Sequence, residues 1–118
     1  MEHKWRFCIY NNYLKMMFDD VADVVGDKLT LTDWLYTDIG DYRKTLEYID
    51  DVLTGKKDKD LFWGNAYKAY VKRDFTEIHF IFEEDNHAIG PCTVPTKLLR
   101  EIVEAWIDEY EKFRANRK

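Results

Sequence analysis

Residues 94–114, with the sequence VPTKLLREIVEAWIDEYEKFR, decide how the rest of this chain has to fold. Their apolar side chains recur at spacings of three and four, which is typical of one face of an α-helix. The residues on that face are Leu98, Leu99, Ile102, Val103, Trp106, Ile107, Tyr110 and Phe113. Because so wide an apolar face needs a large surface to lie on, we expect the remaining residues to supply one.

The segment before this helix favours an antiparallel hairpin. Apolar and polar residues alternate over residues 67–72 and again over residues 78–82, which is the pattern of half-buried strands. Residues 73–74 are the expected turn. We expect Thr93 or Thr96 to cap the long helix, since a threonine hydroxyl can accept a hydrogen bond from a backbone N–H of the first turn.

The middle of the chain predicts a second helix. Apolar residues have helical spacing over residues 39–53, and Asp38 is placed to cap the N-terminus of that helix. Arg43 and Glu47 are four residues apart and are expected to pair on its outer side. Residues 27–37 fit either a short strand or a single helical turn.

The N-terminal segment also has two interpretations. Residues 5–10 alternate between apolar and polar side chains and predict a strand. From Leu14 the apolar spacing fits a helix that ends at Gly26, and we expect this helix. The alternative is a hairpin that turns at Asn11 and Asn12.

Together these elements predict an α+β fold. We expect a small, mostly antiparallel sheet of three to four strands, with about three helices packed mainly on one face. The chain of 118 residues is expected to form a single globular domain, residues 1–118, with a core large enough to fold without a disulfide or a metal.

Composition and charge narrow the class of protein. No N-terminal apolar run resembles a signal peptide and no stretch is long enough to span a membrane, so we expect a cytoplasmic protein with no membrane partner. The two cysteines, Cys8 and Cys92, are expected to be reduced and buried, with a bridge between them as the alternative. The net charge of −5 argues against a nucleic-acid partner.

Catalytic and metal-binding patterns are weak in this sequence. His87 and Cys92 lack companions at the spacing of a transition-metal site, and the acidic run at residues 83–85 lacks the spacing of a calcium loop. His79 could serve as a general base only with an acid supplied by the fold. Serine is absent from the sequence. We therefore expect no metal, no cofactor and no enzymatic activity.

A small basic and aromatic patch is the third candidate for a function. Lys68, Lys72 and Arg73 lie close in sequence to Tyr67 and Tyr70, as in sheets that bind single-stranded nucleic acid. Because the chain as a whole is acidic, we interpret this patch as the solvated side of a strand.

The acidic residues are concentrated in one part of the chain. Residues 19–51 contain ten acidic and three basic side chains, which leaves −7 in this segment and +2 in the remainder. Trp34, Tyr36 and Tyr42 are interleaved with the acids. Acids that steer association and aromatics that anchor an interface are what a protein needs to cover a basic active site. The alternative is an ordinary acidic surface.

As a whole the chain resembles the small cytosolic immunity proteins of bacterial polymorphic-toxin and contact-dependent growth-inhibition systems. The resemblance rests on its size, its acidic and aromatic-rich composition, a strand that runs into an acidic loop over residues 80–85, and the helix around Trp106. It implies a protein that binds one cognate toxin, expected to be a nuclease, and blocks its active site.

These observations define a predicted partner-binding set. Its members are the acids and aromatics of the acidic segment with the acidic run that follows the hairpin: Asp19, Asp20, Asp23, Asp33, Trp34, Tyr36, Asp38, Asp41, Glu83, Glu84 and Asp85. The alternative function is a non-catalytic adaptor or a homodimeric structural domain. A small enzyme that uses His79 is the third hypothesis.

Overall fold

The computed structural model describes residues 5–82 and 90–116 and has an α+β fold. A π-helical turn, Leu35–Ile39, directly follows the helix that ends at Trp34. In chain order, the elements are β1 (Arg6–Tyr10), β2 (Tyr13–Met17), β3 (Val25–Gly26), α1 (Lys28–Trp34), α2 (Lys44–Leu53), β4 (Lys59–Trp63), β5 (Tyr67–Lys72), β6 (Phe75–Phe80), β7 (Cys92–Pro95) and α3 (Thr96–Ala115).

The strands form two antiparallel sheets, which is more than the single sheet of three to four strands that we predicted. β1 and β2 form a two-stranded ribbon, and the other strands form a five-stranded sheet in the order β3-β7-β6-β5-β4. The helices lie between these two layers. β2 packs against α1 and α3, while α1, α2 and α3 pack against β6, β5 and β7 respectively. Each apolar face is thereby covered by a neighbouring layer.

The long C-terminal helix is confirmed as α3. Leu99, Ile102, Val103 and Trp106 have no exposed surface. The indole Nε1 of Trp106 donates a hydrogen bond of 2.9 Å to the backbone oxygen of Gly40, so the largest side chain of the helix also satisfies its polar atom. The apolar face of α3 is therefore part of the hydrophobic core.

The threonine cap predicted for α3 is wrong. Thr93 lies within β7, and Pro95 occupies the cap position without a side-chain hydrogen bond. The hydroxyl of Thr96 instead donates to the backbone oxygen of Lys72 and lies 2.9 Å from the hydroxyl of Thr76. This threonine is buried, and it joins the start of the helix to the sheet rather than to its own first turn.

The helix predicted from Leu14 onward is also wrong, and the alternative hairpin is present. Asn11 and Asn12 have φ angles of 50° and 69°, a left-handed conformation that asparagine tolerates and that tight hairpin turns require. Leu14, Met16 and Phe18 are buried at intervals of two residues against the helices. The helical spacing misled us because several apolar residues of this segment satisfy both periods.

The ambiguous segment after β3 is helical. The side chain of Asp27 accepts a hydrogen bond of 3.1 Å from the backbone N–H of Leu29, which caps α1. The chain then passes through the π-helical turn before α2 begins, so α2 is shorter than the helix predicted over residues 39–53. Asp38 belongs to the π-helical turn and does not cap α2.

The N-terminal end of α2 is tied to α3 by charge. Arg43 binds Asp108 at 2.6 Å and Glu111 at 2.8 Å, whereas we had expected it to pair with Glu47 on its own helix. The pairing across helices wins because α3 brings two carboxylates to one guanidinium. All of these side chains are about half exposed, so the cluster orients the helices more than it stabilises them.

The two faces of the five-stranded sheet have different surroundings. The predicted β5–β6 hairpin is confirmed, and its turn lies at residues 73–74. The inward side chains of β5 and β6 contact the helices, and all of them are fully buried except Phe80, which is half-buried. The outward side chains of β4, β5 and β6 form a surface that we call the open face: Lys59, Leu61, Trp63, Lys68, Tyr70, Lys72, Phe75, Glu77 and His79.

Both cysteines are free thiols in this structure. Cys92 is buried on β7, and Cys8 is half-buried on β1. These strands belong to different sheets, and the alternative bridge between the two cysteines is not formed. Within residues 5–82 and 90–116, none of the helices combines the length and the apolar character that crossing a membrane requires.

Candidate partner-binding surface

The structure disperses the predicted partner-binding set. Asp19, Asp20 and Asp23 are exposed between β2 and β3, where Asp19 forms an ion pair of 2.7 Å with Arg6. Asp41 pairs at 2.6 Å with Arg114, near the end of α3. Glu83, Glu84 and Asp85 lie outside the described residues.

Three predicted residues serve the interior instead of a surface. Trp34 is only 1% exposed, so it is a core residue, and a partner could reach it only through the cleft that it lines. Asp33 accepts a hydrogen bond of 2.6 Å from the hydroxyl of Tyr67. Burial and this carboxylate both raise the pKa of Tyr67, which keeps its proton in place. Tyr36 packs edge-on against the buried ring of Trp106 and against the rings of Tyr13 and Tyr110.

Asp38 holds the turn that joins β4 to β5. Its Oδ1 accepts hydrogen bonds from the backbone N–H groups of Asn65 and Ala66 at 3.1 and 3.2 Å, and its Oδ2 accepts one from Tyr67 at 3.0 Å. The carboxylate lies so close to Gly64 that a Cβ at that position would collide with it. Asp38 is therefore a structural residue that positions the end of β4.

The carboxylate of Asp38 also has a shifted pKa, and it borders a cleft. Burial raises the pKa of Asp38, although the backbone hydrogen bonds it accepts act in the opposite direction. A half-buried acid with a raised pKa is a common feature of catalytic sites. Here both oxygens already accept backbone hydrogen bonds, so the side chain has little freedom to exchange a proton with a substrate.

The cleft has a volume of about 440 Å³ and lies between β4 on one side and the π-helical turn with α2 on the other. Four aromatic side chains line it together with Trp34. Trp63 and Tyr42 stand at the rim with 64% and 53% of their surface exposed. Tyr48 and Phe62 pack against each other in the wall, with ring centroids 5.8 Å apart. The site is concave, aromatic and already formed, as binding sites usually are.

The outer edge of β4 forms one wall of the cleft. β4 ends the sheet, so its backbone N–H groups point alternately toward β5 and away from it. Gly64 donates toward β5, and Leu61 donates outward to the carboxylate of Asp60 at 2.9 Å. Lys57 in turn binds Asp60 at 3.3 Å. Charges of this kind protect an edge strand from unwanted pairing and keep it available for a specific partner.

The groups considered for catalysis lie on neighbouring strands but on opposite faces of the sheet. Burial raises the pKa of the Cys92 thiol to about 12, which keeps it protonated at neutral pH. His79 lies on the open face, 3.3 Å from Glu77 and edge-on to the ring of Tyr70. His87, which we considered as a metal ligand, lies outside the described residues. Among the residues that the structure describes, His, Cys, Asp and Glu side chains form no group of three that could hold a metal ion.

Comparison of the chain with protein-family models, with curated proteins and with solved structures finds no match.

Sequence reasoning missed most of the cleft. It identified Trp34 and Asp38 but assigned the first to a surface and the second to a helix cap. Tyr42 was noted only as an aromatic among acids, and Trp63 was not selected at all. One signal was available, because Leu61, Phe62 and Trp63 form a short apolar run at the start of a strand pattern. Nothing in the pattern showed that β4 would be an edge strand beside a helix.

Proposed function

We propose that this chain is a non-catalytic immunity protein, which binds a cognate bacterial toxin in the cytoplasm and occludes its active site. The observation that carries the proposal is the aromatic cleft beside the edge of β4. It offers exposed anchors, a preformed cavity and a strand edge in one place. We expect the toxin to be a nuclease, whose basic active site would complement an acidic inhibitor.

The aromatic rim supports binding to a protein. Tyr and Trp are enriched among the residues that dominate interface energies, because they bury a large area and keep a polar atom for hydrogen bonding. Tyr42 and Trp63 are exposed at the rim, while the residues behind them are packed. A partner side chain that enters the cleft would therefore meet a preformed wall, whose own side chains would lose little entropy on binding.

The acidic side chains of the predicted set divide between two roles. Asp33 and Asp38 are engaged inside the structure, and Asp41 and Asp19 are paired at the surface. Those at the surface still contribute to the field of a protein with net charge −5. That field steers a basic toxin toward the inhibitor and raises the association rate, whereas the cleft supplies the short-range contacts.

The test begins with the C-terminal segment encoded by the gene immediately upstream, which is where a cognate toxin is expected. Binding is measured by calorimetry, and nuclease activity is measured with and without this chain. Tyr42→Ala and Trp63→Ala are each expected to raise the dissociation constant by about 30-fold, the size of a strong interface residue. Association should slow as salt is increased.

Tyr10→Ala is the matched control, because Tyr10 is also an exposed aromatic, at 64%, but lies on β1. It should leave toxin binding unchanged. If the toxin binds but all three variants bind equally well, the cleft is the wrong surface. If the toxin neither binds nor loses activity, the immunity function itself is wrong.

The edge of β4 also favours a second candidate, a homodimeric structural domain. Two copies could pair their β4 edges and bury Leu61 and Trp63, which are exposed in a single copy. Sedimentation velocity over a hundredfold range of concentration distinguishes the two functions. A dimer that Trp63→Ala disrupts in the absence of any toxin would favour this alternative.

A further inference from the structure

The open face carries an ordered grid of side chains. The strand register places Trp63 opposite Lys68, Leu61 opposite Tyr70, and Lys59 opposite Lys72. On the other side of β5, Lys68 lies opposite His79 and Tyr70 lies opposite Glu77. Aromatic and basic side chains thus alternate along β5, and Trp63 of β4 adjoins Lys68, while β6 contributes Glu77 and His79.

The aromatic rings of this face are accessible. Trp63, Phe75 and Tyr70 keep 64%, 54% and 36% of their surface exposed. The ammonium group of Lys68 lies 5.8 Å from the ring centroids of both Trp63 and Tyr70. These contacts hold the lysine between two rings, so a charge and two flat apolar surfaces are presented together.

The charge of the open face is opposite to that of the protein. The open face carries three lysines and one carboxylate, that of Glu77. His79 lies 3.3 Å from this carboxylate. The whole chain has a net charge of −5. The net charge led us to expect no nucleic-acid partner, but the fold separates the two signs and leaves a basic, aromatic platform on one side of the sheet.

We propose that the open face, which shares Trp63 with the toxin-binding cleft, also binds single-stranded nucleic acid. Bases would stack on Trp63 and Tyr70, and the three lysines would contact phosphates. Antiparallel sheets that expose aromatic rings between basic residues bind single strands in this way, without requiring a particular sequence. The corrected patch differs from the one predicted, because Tyr67 is buried and Trp63 and Lys59 take part instead.

A single strand fits this surface better than an acidic protein segment. The apolar groups of the open face are mainly planar rings, which match the faces of bases. An acidic peptide would use the lysines but would leave the rings without stacking partners. The peptide therefore serves as the competing ligand in the test.

The experiment measures fluorescence anisotropy of labelled twelve-nucleotide oligo-dT and oligo-U, with an equally long oligoglutamate peptide in parallel. We expect a dissociation constant of about 1–100 μM at low salt. With three phosphate contacts, raising the salt fourfold should weaken binding about 20-fold. Tryptophan fluorescence should be quenched on binding, since Trp63 is exposed whereas Trp34 and Trp106 are buried.

The charge-reversed variant Lys68→Glu/Lys72→Glu is expected to weaken binding more than tenfold, and Tyr70→Ala about tenfold. The control, Lys44→Glu/Lys97→Glu, changes the net charge equally but lies on the exposed sides of α2 and α3. Circular dichroism verifies that all variants are folded. Equal losses in both double variants, equal affinity for oligoglutamate, or no binding at low salt would each overturn the proposal.

Discussion

The two faces of the five-stranded sheet are built from the same alternating strands and differ in what covers them. On the side of the helices, Tyr67, Val71 and Ile78 have no exposed surface. On the open face, Trp63 and Phe75 keep more than half of theirs exposed, at 64% and 54%. An apolar side chain in a strand is therefore buried only where another layer packs on it. Elsewhere the same kind of residue is available for binding.

The largest expected effect comes from truncation on the covered face. Ile78→Ala should lower the free energy of unfolding by about 3–4 kcal/mol, because it removes buried methyl groups and leaves a cavity. Phe75→Ala lies on the same strand but on the open face, and should change stability by less than about 1 kcal/mol. Urea unfolding monitored by circular dichroism measures both. Similar losses in the two variants would show that the open face is covered after all.

A smaller effect is expected at the turn where β4 meets β5. Asp38→Ala leaves three backbone N–H groups without their acceptor and should cost about 2 kcal/mol. Asp41→Ala removes an ion pair whose side chains are about half exposed, and should cost less than about 1 kcal/mol. The same urea experiment compares them. A loss no greater at Asp38 than at Asp41 would contradict its role in holding the turn.

The pH dependence at Asp38 is smaller still, and its sign is defined. Burial raises the folded-state pKa above the ordinary value of 3.8, so the folded protein holds this proton more tightly than the unfolded chain does. The stabilisation is complete below pH 3.8 and is lost as the pH rises through the folded-state pKa. The stability of the wild type relative to Asp38→Asn should therefore decline as the pH rises from below 3.8 through the folded-state pKa. A difference that grows with pH would mean a lowered pKa.

The fourth prediction involves no change in stability. Cys92 is buried, and its pKa is raised to about 12, whereas Cys8 is half-buried on the outer ribbon. In the native protein, a thiol reagent at pH 8 should label one cysteine quickly, and Cys8→Ser should abolish that phase. Rapid labelling of both cysteines would show that the layer over β7 opens readily.

Local patterns predicted those elements whose burial follows directly from their own sequence. The stripe around Trp106 has one interpretation as a helix, and α3 is present. The alternation on β5 and β6 likewise predicted their pairing and the turn between them. In the segment after Leu14, two periods fitted the same residues. Only the positive φ angles of Asn11 and Asn12 and the helices beneath the ribbon select the hairpin.

The candidate site was less accessible to sequence reasoning than the fold. The acids and aromatics of residues 19–51 are close in sequence, but the fold does not place them on one surface. Trp34 turns into the core, and Asp38 turns toward the backbone of another hairpin. The cleft exists because β4 is an edge strand beside α2, and neither fact can be seen from the spacing of residues along one element.

The sequence by itself determined the α+β class, the long helix, the central hairpin and an acidic protein rich in aromatic residues. These properties depend on composition and on periods of two or three to four residues, which are local. The tertiary structure decided which aromatic residues are core and which are rim, and it collected three lysines on one face of an acidic protein. Such outcomes depend on contacts between residues far apart in the chain, because burial is set by the layer that covers a side chain and not by its neighbours in sequence.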